Sequence, residues 1–317
     1  MLKFENTSNA RKLLIASLLA GSIVGCGGQG DDGKIFGPPG AGGAAGAVNP
    51  GPAGAAPALG AAAAFGGFGG GAGMTNQGTS TVITGAAGQP VSIGTTGAST
   101  TMTGFHDNSV AYTPPPAAAG CTYTETTLNI GAVNGTIITD APPPTITCPL
   151  EGTAATKATA DAAAAAALAA FNDLAGRPGA ADPGANLGGL TLPPGVYKTA
   201  TGAFLLTGAD LTLDAGGNAN AVWVFQMAST LTVGAAGAPR SVILAGGAQP
   251  KNVFWQVGSA ATINAAGGGT MVGTIISSAA TTFSTAGNAT ITTLNGRALA
   301  LNASVTMVNT VINVPAP

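Results

Sequence analysis

Leu190-Thr191-Leu192, Leu211-Thr212-Leu213, Leu231-Thr232-Val233, Ala261-Thr262-Ile263, Thr281-Thr282-Phe283 and Val305-Thr306-Met307 repeat one phrase, a threonine held between mostly apolar residues and followed by a small or polar turn. Successive central threonines lie 21, 20, 30, 20 and 24 residues apart, and Gly, Ala, Asn and Pro fill the intervals. A period near twenty residues with Gly-rich corners predicts a solenoid, because no single unit can bury its apolar side chains and each must stack on its neighbours. Alternation along a strand sends the flanking Leu, Val, Ile, Phe and Met inward and the central Thr outward.

A second phrase runs in the same register: Val222-Trp223-Val224-Phe225-Gln226-Met227, Asn252-Val253-Phe254-Trp255-Gln256-Val257, Gly273-Thr274-Ile275-Ile276-Ser277 and Gly296-Arg297-Ala298-Leu299-Ala300-Leu301. Each coil therefore carries at least two strands. The expected fold is mainly β, a parallel β-helix of about six coils.

N-terminal to the repeats, residues 151–176 form the one helical segment, rich in Ala, with Leu168, Phe171 and Leu174 on one side and Gly176 and Pro178 to stop it. About 20 helical residues span about 30 Å. Six strands at about 4.8 Å cover nearly the same distance, so the helix is expected to lie along the solenoid axis with those three side chains against it.

Residues 113–150 carry Pro114-Pro115-Pro116, Cys121, Pro142-Pro143-Pro144 and Cys148, an irregular insertion expected to cap one end of the stack. Before it, Val82-Ile83, Val91-Ser92-Ile93 and Thr100-Thr101-Met102 read as short strands, so the folded domain is expected over 79–317. Residues 27–78 are Gly- and Ala-rich with three charges, Asp31, Asp32 and Lys34, and are expected to be a flexible tether. Gly28-Gln29-Gly30-Asp31-Asp32-Gly33 has the letters of a dinucleotide fingerprint, but no strand precedes it and no helix follows.

Residues 1–26 are an export signal: Lys3, Arg11 and Lys12 are basic, residues 13–21 are apolar, and the run is too short to span a bilayer. Its end, Ile23-Val24-Gly25-Cys26, resembles a bacterial lipoprotein box, with Ile where Leu is usual. That resemblance implies lipidation of Cys26 and, with Gly27 following, the outer membrane or cell surface; plain secretion is the alternative. With Cys26 so used, the remaining pair in an oxidising compartment is Cys121 with Cys148. Two cysteines and His106, the only histidine, do not make a metal site.

The residues as a whole resemble a known family, the microbial ice-binding proteins, whose domain is a right-handed β-helix flanked by one long α-helix. The likeness rests on Gly188-Gly189-Leu190-Thr191-Leu192-Pro193-Pro194-Gly195-Val196-Tyr197, Asp210-Leu211-Thr212-Leu213-Asp214, Ala221-Val222-Trp223-Val224-Phe225-Gln226, Asn252-Val253-Phe254-Trp255-Gln256-Val257 and Leu294-Asn295-Gly296-Arg297-Ala298-Leu299-Ala300. It covers 151–314 closely and 79–112 loosely. These phrases build the fold more than they specify activity.

Parallel β-helices also serve polysaccharide lyases and hydrolases, whose chemistry requires clustered ionisable groups. Between 190 and 314 the charged residues are Lys198, Asp210, Asp214, Arg240, Lys251 and Arg297, and Asp210 and Asp214 are expected to close turns rather than form an acid/base pair. There is no Gly-x-Ser-x-Gly elbow, so no catalytic residue, cofactor or small-molecule substrate is expected. A formal charge of −2 with no basic cluster in the mature chain argues against nucleic acid.

Charged residues make up 7% of the chain, which suits a surface that organises water. A rigid sheet holds a methyl and a hydroxyl at each rung, about 4.8 Å apart between strands and about 6.7 Å along one. Weak contacts then add without fresh ordering entropy. Thr191, Thr212, Thr232, Thr262, Thr282 and Thr306 are the candidate ice-contacting residues, of which Thr212 to Thr306 are expected to form one outward ladder. Thr285-Ala286-Gly287-Asn288 resembles a Thr/small/x/Asn motif of the family's ice-binding faces, which adds Thr285 and Asn288. The expected partner is ice, met by a monomer anchored in a membrane; the alternative is a surface adhesin or coat protein on the same scaffold. Threonine also suits any solvated strand face.

Overall fold

The computed structural model describes residues 50–317 apart from 118, 236, 286 and 288. The export signal, Cys26 and residues 27–49 of the expected tether lie outside the described residues. The described chain is mainly β with one α-helix, and its strands stack in parallel except for the antiparallel pair Phe105–Asp107 and Thr122–Tyr123.

Pairing divides the coils into three sides. On the first, Gly195–Lys198, Trp223–Met227 and Val253–Val257 lead into the second halves of Thr270–Ser277 and Thr292–Ala300. The first halves of those two long strands belong to the next side, which continues through Thr310–Val314, Thr81–Gly85 and Gly131–Val133. Gly273 and Gly296 stand in register where the pairings diverge. A Cβ on Gly296 would lie 1.8 Å from the Gly273 carbonyl oxygen, so the corner closes only with glycine there. The strands Thr191–Leu192, Leu211–Asp214 and Val242–Ala245 form a separate short sheet. The last side is a seven-stranded sheet of very short strands.

Alternation fills the interior. Tyr197, Phe225 and Trp255 occupy one register position on neighbouring strands and stack, with centroids 5.3 and 4.1 Å apart. Each indole N–H reaches a carbonyl, Trp223 to Leu192 O at 3.1 Å and Trp255 to Val272 O at 2.8 Å, so both rings are buried without an orphan donor.

The stack does not follow chain order. Phe65–Gly69 pairs with Thr292–Ala300 on one flank and Ser92–Ala98 on the other, and Met74–Asn76 sits between Val305–Met307 and Met102–Thr103. This corrects the expected tether over its described part, residues 50–78. From residue 50 the chain runs beside the helix, forms a 3-10 turn at Gly60–Ala64 and enters the core through buried Phe65, Phe68 and Met74. The glycines that suggested a linker are sites of close packing: a Cβ on Gly67 would lie 2.5 Å from the Met74 side chain, and one on Gly69 would lie 1.8 Å from Gly73 O.

The helix is Ala154–Ala175. Thr153 accepts the Thr156 N–H at 3.2 Å while the Thr156 hydroxyl accepts the Thr153 N–H at 2.7 Å, a reciprocal cap. Its buried stripe is Ala160, Ala163, Ala167, Ala170 and Leu174, packed on Val196, Val224, Phe254, Ile276, Leu299 and Phe68. Phe171 is half-buried and packs against this cluster, as expected, whereas Leu168 faces solvent, 49% exposed, against the expectation that it too would lie on the solenoid. At about 100° per residue, steps of three drift by about 60° each, so Leu168 and Leu174 cannot share one stripe, whereas mixed steps of three and four keep to it.

The insertion is less irregular than its prolines imply. Gly131–Val133 and Ile137–Asp140 extend the solenoid at one end. Cys121 and Cys148 are disulfide-bonded there, with Cα atoms 5.5 Å apart. Below the disulfide, Glu151 accepts from the Tyr123 and Ser109 hydroxyls at 2.6 and 2.8 Å. Burial first, then the neighbouring Asp107, push its carboxyl up to about 7.

Candidate functional site

Six threonines stand in one register row on the seven-stranded sheet: Thr232, Thr262, Thr282, Thr306, Thr75 and Thr103, with Leu205 at the open edge before Thr232. Every rung is a three-residue strand or shorter whose neighbours point inward, such as Leu231 and Val233, Val305 and Met307, or Met74 and Asn76, all at most 1% exposed. The threonines between them are half-buried. At about 4.8 Å per rung the row is about 24 Å long.

Beside it runs a parallel row of small residues. Thr230, Ala260, Ala280, Ser304 and Gly73 are tied rung to rung by backbone bonds, for instance Leu231 N to Ala260 O at 3.2 Å and Ala261 N to Ala280 O at 2.9 Å. No charged residue occurs in any of the seven strands. Among the described residues none bonds to the hydroxyl of Thr232, Thr262, Thr282, Thr306, Thr75 or Thr103, so each is left to solvent.

The corners explain why each strand stops. Gly234, Asn264 and Ser284 follow consecutive rungs in the left-handed region, with φ of 79°, 47° and 59°. Asn264 is the best suited of the three: its amide donates to Arg240 O at 2.9 Å and Gly268 O at 2.8 Å, and its oxygen accepts the Arg240 N–H at 2.9 Å. Buried Asn76 does similar work at its own corner, donating to Gly78 O and Gly104 O.

Sequence reasoning placed Thr212 at the head of the ladder and Thr191 beside it. The structure puts both on a different side of the coil, in the row Thr191, Thr212, Ile243, where Ile243 is 47% exposed. In the first coils the Leu-Thr-Leu phrase belongs to that side, and the rung facing Thr232 is Phe204–Leu206. The spacing of 20 from Thr212 to Thr232 therefore crosses from one side to another rather than measuring a repeat. Thr75 and Thr103 went unseen because one lay inside the expected tether and the other on a two-residue strand. Their Met-Thr pairs were the available signal. Thr285 is exposed on the corner after its rung and donates to Ala265 O at 2.7 Å, off the row; Asn288 lies outside the described residues.

Of the carboxylates that could have suggested chemistry, Asp214 closes a turn as expected, whereas Asp210 ties its strand to the next coil. Asp210 accepts the Ser241 N–H and Asp214 the Gly216 N–H, both at 2.9 Å. In the insertion, Glu125 is held between His106 Nδ1 at 2.7 Å and the Tyr112 hydroxyl at 2.6 Å, a buried network under the stacked His106 and Tyr112 rings.

Residues 68–313 match the family model described as ice-binding-like. An ice-binding protein of Nostoc sp. (strain HG1) is 38% identical over 208 residues, 60% of this chain and 73% of that protein. One from Flavobacterium frigoris (strain PS1) is 36% identical over 125 residues, 39% of this chain and 40% of that protein. Among solved structures, the ice-binding protein of the Antarctic ascomycete Antarctomyces psychrotrophicus superposes with a TM-score of 0.60 at 31% identity, covering 83% of this chain and all of that one. A domain of Shewanella frigidimarina ice-binding protein 1 gives 0.61 at 25% identity, over 84% and 98% of the two chains. With three quarters of the chain inside the family model, and the threonine row among the residues it spans, the protein belongs to the ice-binding-like family.

Proposed function

We propose that this protein adsorbs to ice through the row Thr232, Thr262, Thr282, Thr306, Thr75 and Thr103, and thereby inhibits ice growth and recrystallisation. The observation that carries the reading is a row of six hydroxyl and methyl groups, in register, unbonded to the rest of the described chain and without a charged residue on its strands. Such a surface orders water at fixed intervals, and because the sheet has already fixed each threonine the many weak contacts add with little further loss of entropy. The similarity to proteins named for ice binding supports the same reading. No catalytic step is involved; the protein acts as a monomer, and its coils wind right-handed, the sense taken by nearly all parallel crossovers.

Replacing Thr232 and Thr262 with Tyr in residues 50–317 is expected to abolish most recrystallisation inhibition while the melting temperature moves by no more than a few degrees. Thr75→Tyr is expected to act the same way. Thr212→Tyr, on another side, is expected to leave activity intact. Full activity in the first two variants with loss in the third would move the binding face, and an inactive wild type would favour the adhesin.

We also propose that Cys26 carries a lipid that holds the domain at the outer membrane through residues 27–49. Cys26→Ser is then expected to shift the protein from the membrane fraction to the soluble one. Unchanged partitioning would refute the anchor.

A further inference from the structure

Away from the threonine row, on the helix-covered side, the stretch from residue 50 to 64 leaves a groove of about 480 Å³ between itself and the sheet. Its floor includes buried Phe254 and Val222, and Leu59 forms part of one wall. Among the described residues that line it, two are cationic, Arg297 and Lys251, and none is an Asp or Glu.

Arg297 is the unusual member. It projects outward from the strand Thr292–Ala300, in the same column as Thr274 and Phe254 on neighbouring strands, and is 6% exposed. Its Nε and Nη2 both donate to one acceptor, Ala63 O, at 3.3 and 3.1 Å. Among the described residues no carboxylate pairs with it. A guanidinium presents five N–H donors in one plane, so one carbonyl leaves an edge unused. Burial alone holds its pKa below the ordinary value. Gripping a carbonyl requires no charge: a neutral amide would do it without the penalty of a buried, uncompensated cation. Lys251 adds a second positive group on the rim, where its Nζ donates to Pro317 O at 2.7 Å.

We infer that this groove binds a small monocarboxylate, its carboxylate on the unused edge of Arg297 and its apolar body on Phe254 and Val222. Planar carboxylates match a guanidinium edge with two parallel bonds, which a point cation or a neutral ligand cannot reproduce. The site goes beyond ice adsorption and lies on a different side of the coil.

Sodium benzoate is the probe, with benzamide as its neutral analogue and sodium sulfate at equal ionic strength as the salt control. Titrated into residues 50–317 of the wild type, benzoate is expected to move the Arg297 Nη–H resonances saturably and raise the melting temperature. Neither control should do so. Lys251→Met, a change at an exposed side chain, is expected to weaken benzoate several-fold, and the Thr232→Tyr, Thr262→Tyr variant to bind it as the wild type does. An unmoved Arg297 resonance overturns the proposal, as does an equal response to benzamide or to sulfate.

Discussion

Ser284 follows the rung Thr281–Phe283 with φ of 59°, a backbone region that L side chains rarely adopt, and its buried hydroxyl has no partner in the described chain. Gly234 occupies the same corner two rungs away, and Asn264 does so one rung away with its amide fully engaged. Serine is thus the poorest of three solutions to one geometric problem. Ser284→Gly removes a strained backbone and an unsatisfied hydroxyl while adding some freedom to the unfolded chain, and the net is a gain of about 1 kcal/mol. Chemical denaturation would show a higher midpoint at unchanged slope, and a lower midpoint would mean that the hydroxyl has a role at this corner. Residue by residue, the row was legible where at least one bulky apolar neighbour flanked the threonine in a repeated phrase, at 232, 262, 282 and 306. At Thr75 the inward positions are Met74 and Asn76, and Asn reads as a turn residue until its bonds to Gly78 O and Gly104 O are seen. No alternation score can anticipate a polar side chain satisfied inside a core.

Among elements the helix shows which part of a pattern carries information. Its limits, read as 151 and 176, were legible within a few residues, because Gly176 and Pro178 act locally. Its buried side was legible only in part: Leu174 and Phe171 pack on the sheet as expected, but Leu168 does not, and a stripe of alanines looks like every other stripe in an alanine-rich segment. What selects the alanines is the partner surface: Phe254, Ile276, Leu299 and Phe68 already fill the interface from the sheet side, leaving room for methyl groups only. Ala167, 1% exposed, should therefore tolerate enlargement badly, and Ala167→Leu is expected to cost about 1 to 3 kcal/mol. Leu168→Ala, one residue on but facing solvent, is expected to change stability by less than about 0.5 kcal/mol. Thermal unfolding of the two variants side by side checks the assignment; a larger loss from the second would restore the stripe of Leu168, Phe171 and Leu174.

At the scale of the whole molecule, the feature hardest to read was the order of the coils. Local propensity and periodicity describe one coil at a time, and nothing in them says that Phe65–Gly69 and Met74–Asn76 stack against the strands nearest the other end of the chain. The helix makes that order possible by carrying the chain back along the stack, from the capped end to the coil that begins near residue 191. One consequence is geometric: the stretch that follows residue 50 lies on the helix-covered side, where Arg177 and Arg297 bond to Ala53 O and Ala63 O, away from the threonine row. The other is energetic. A chain beginning at residue 79 would lose a coil from within the stack, exposing sheet edges at Thr292–Ala300 and Val305–Met307 on one flank and Ser92–Ala98 and Met102–Thr103 on the other, and leaving the space of Phe65, Phe68 and Met74 empty. Edges and voids of that kind favour aggregation over folding. The chain beginning at 79 is thus expected to yield no cooperative unfolding transition and no recrystallisation inhibition, while one beginning at 50 unfolds cooperatively and is active. If both melt at the same temperature, residues 50–78 are a tether after all and the interleaved coil is wrong.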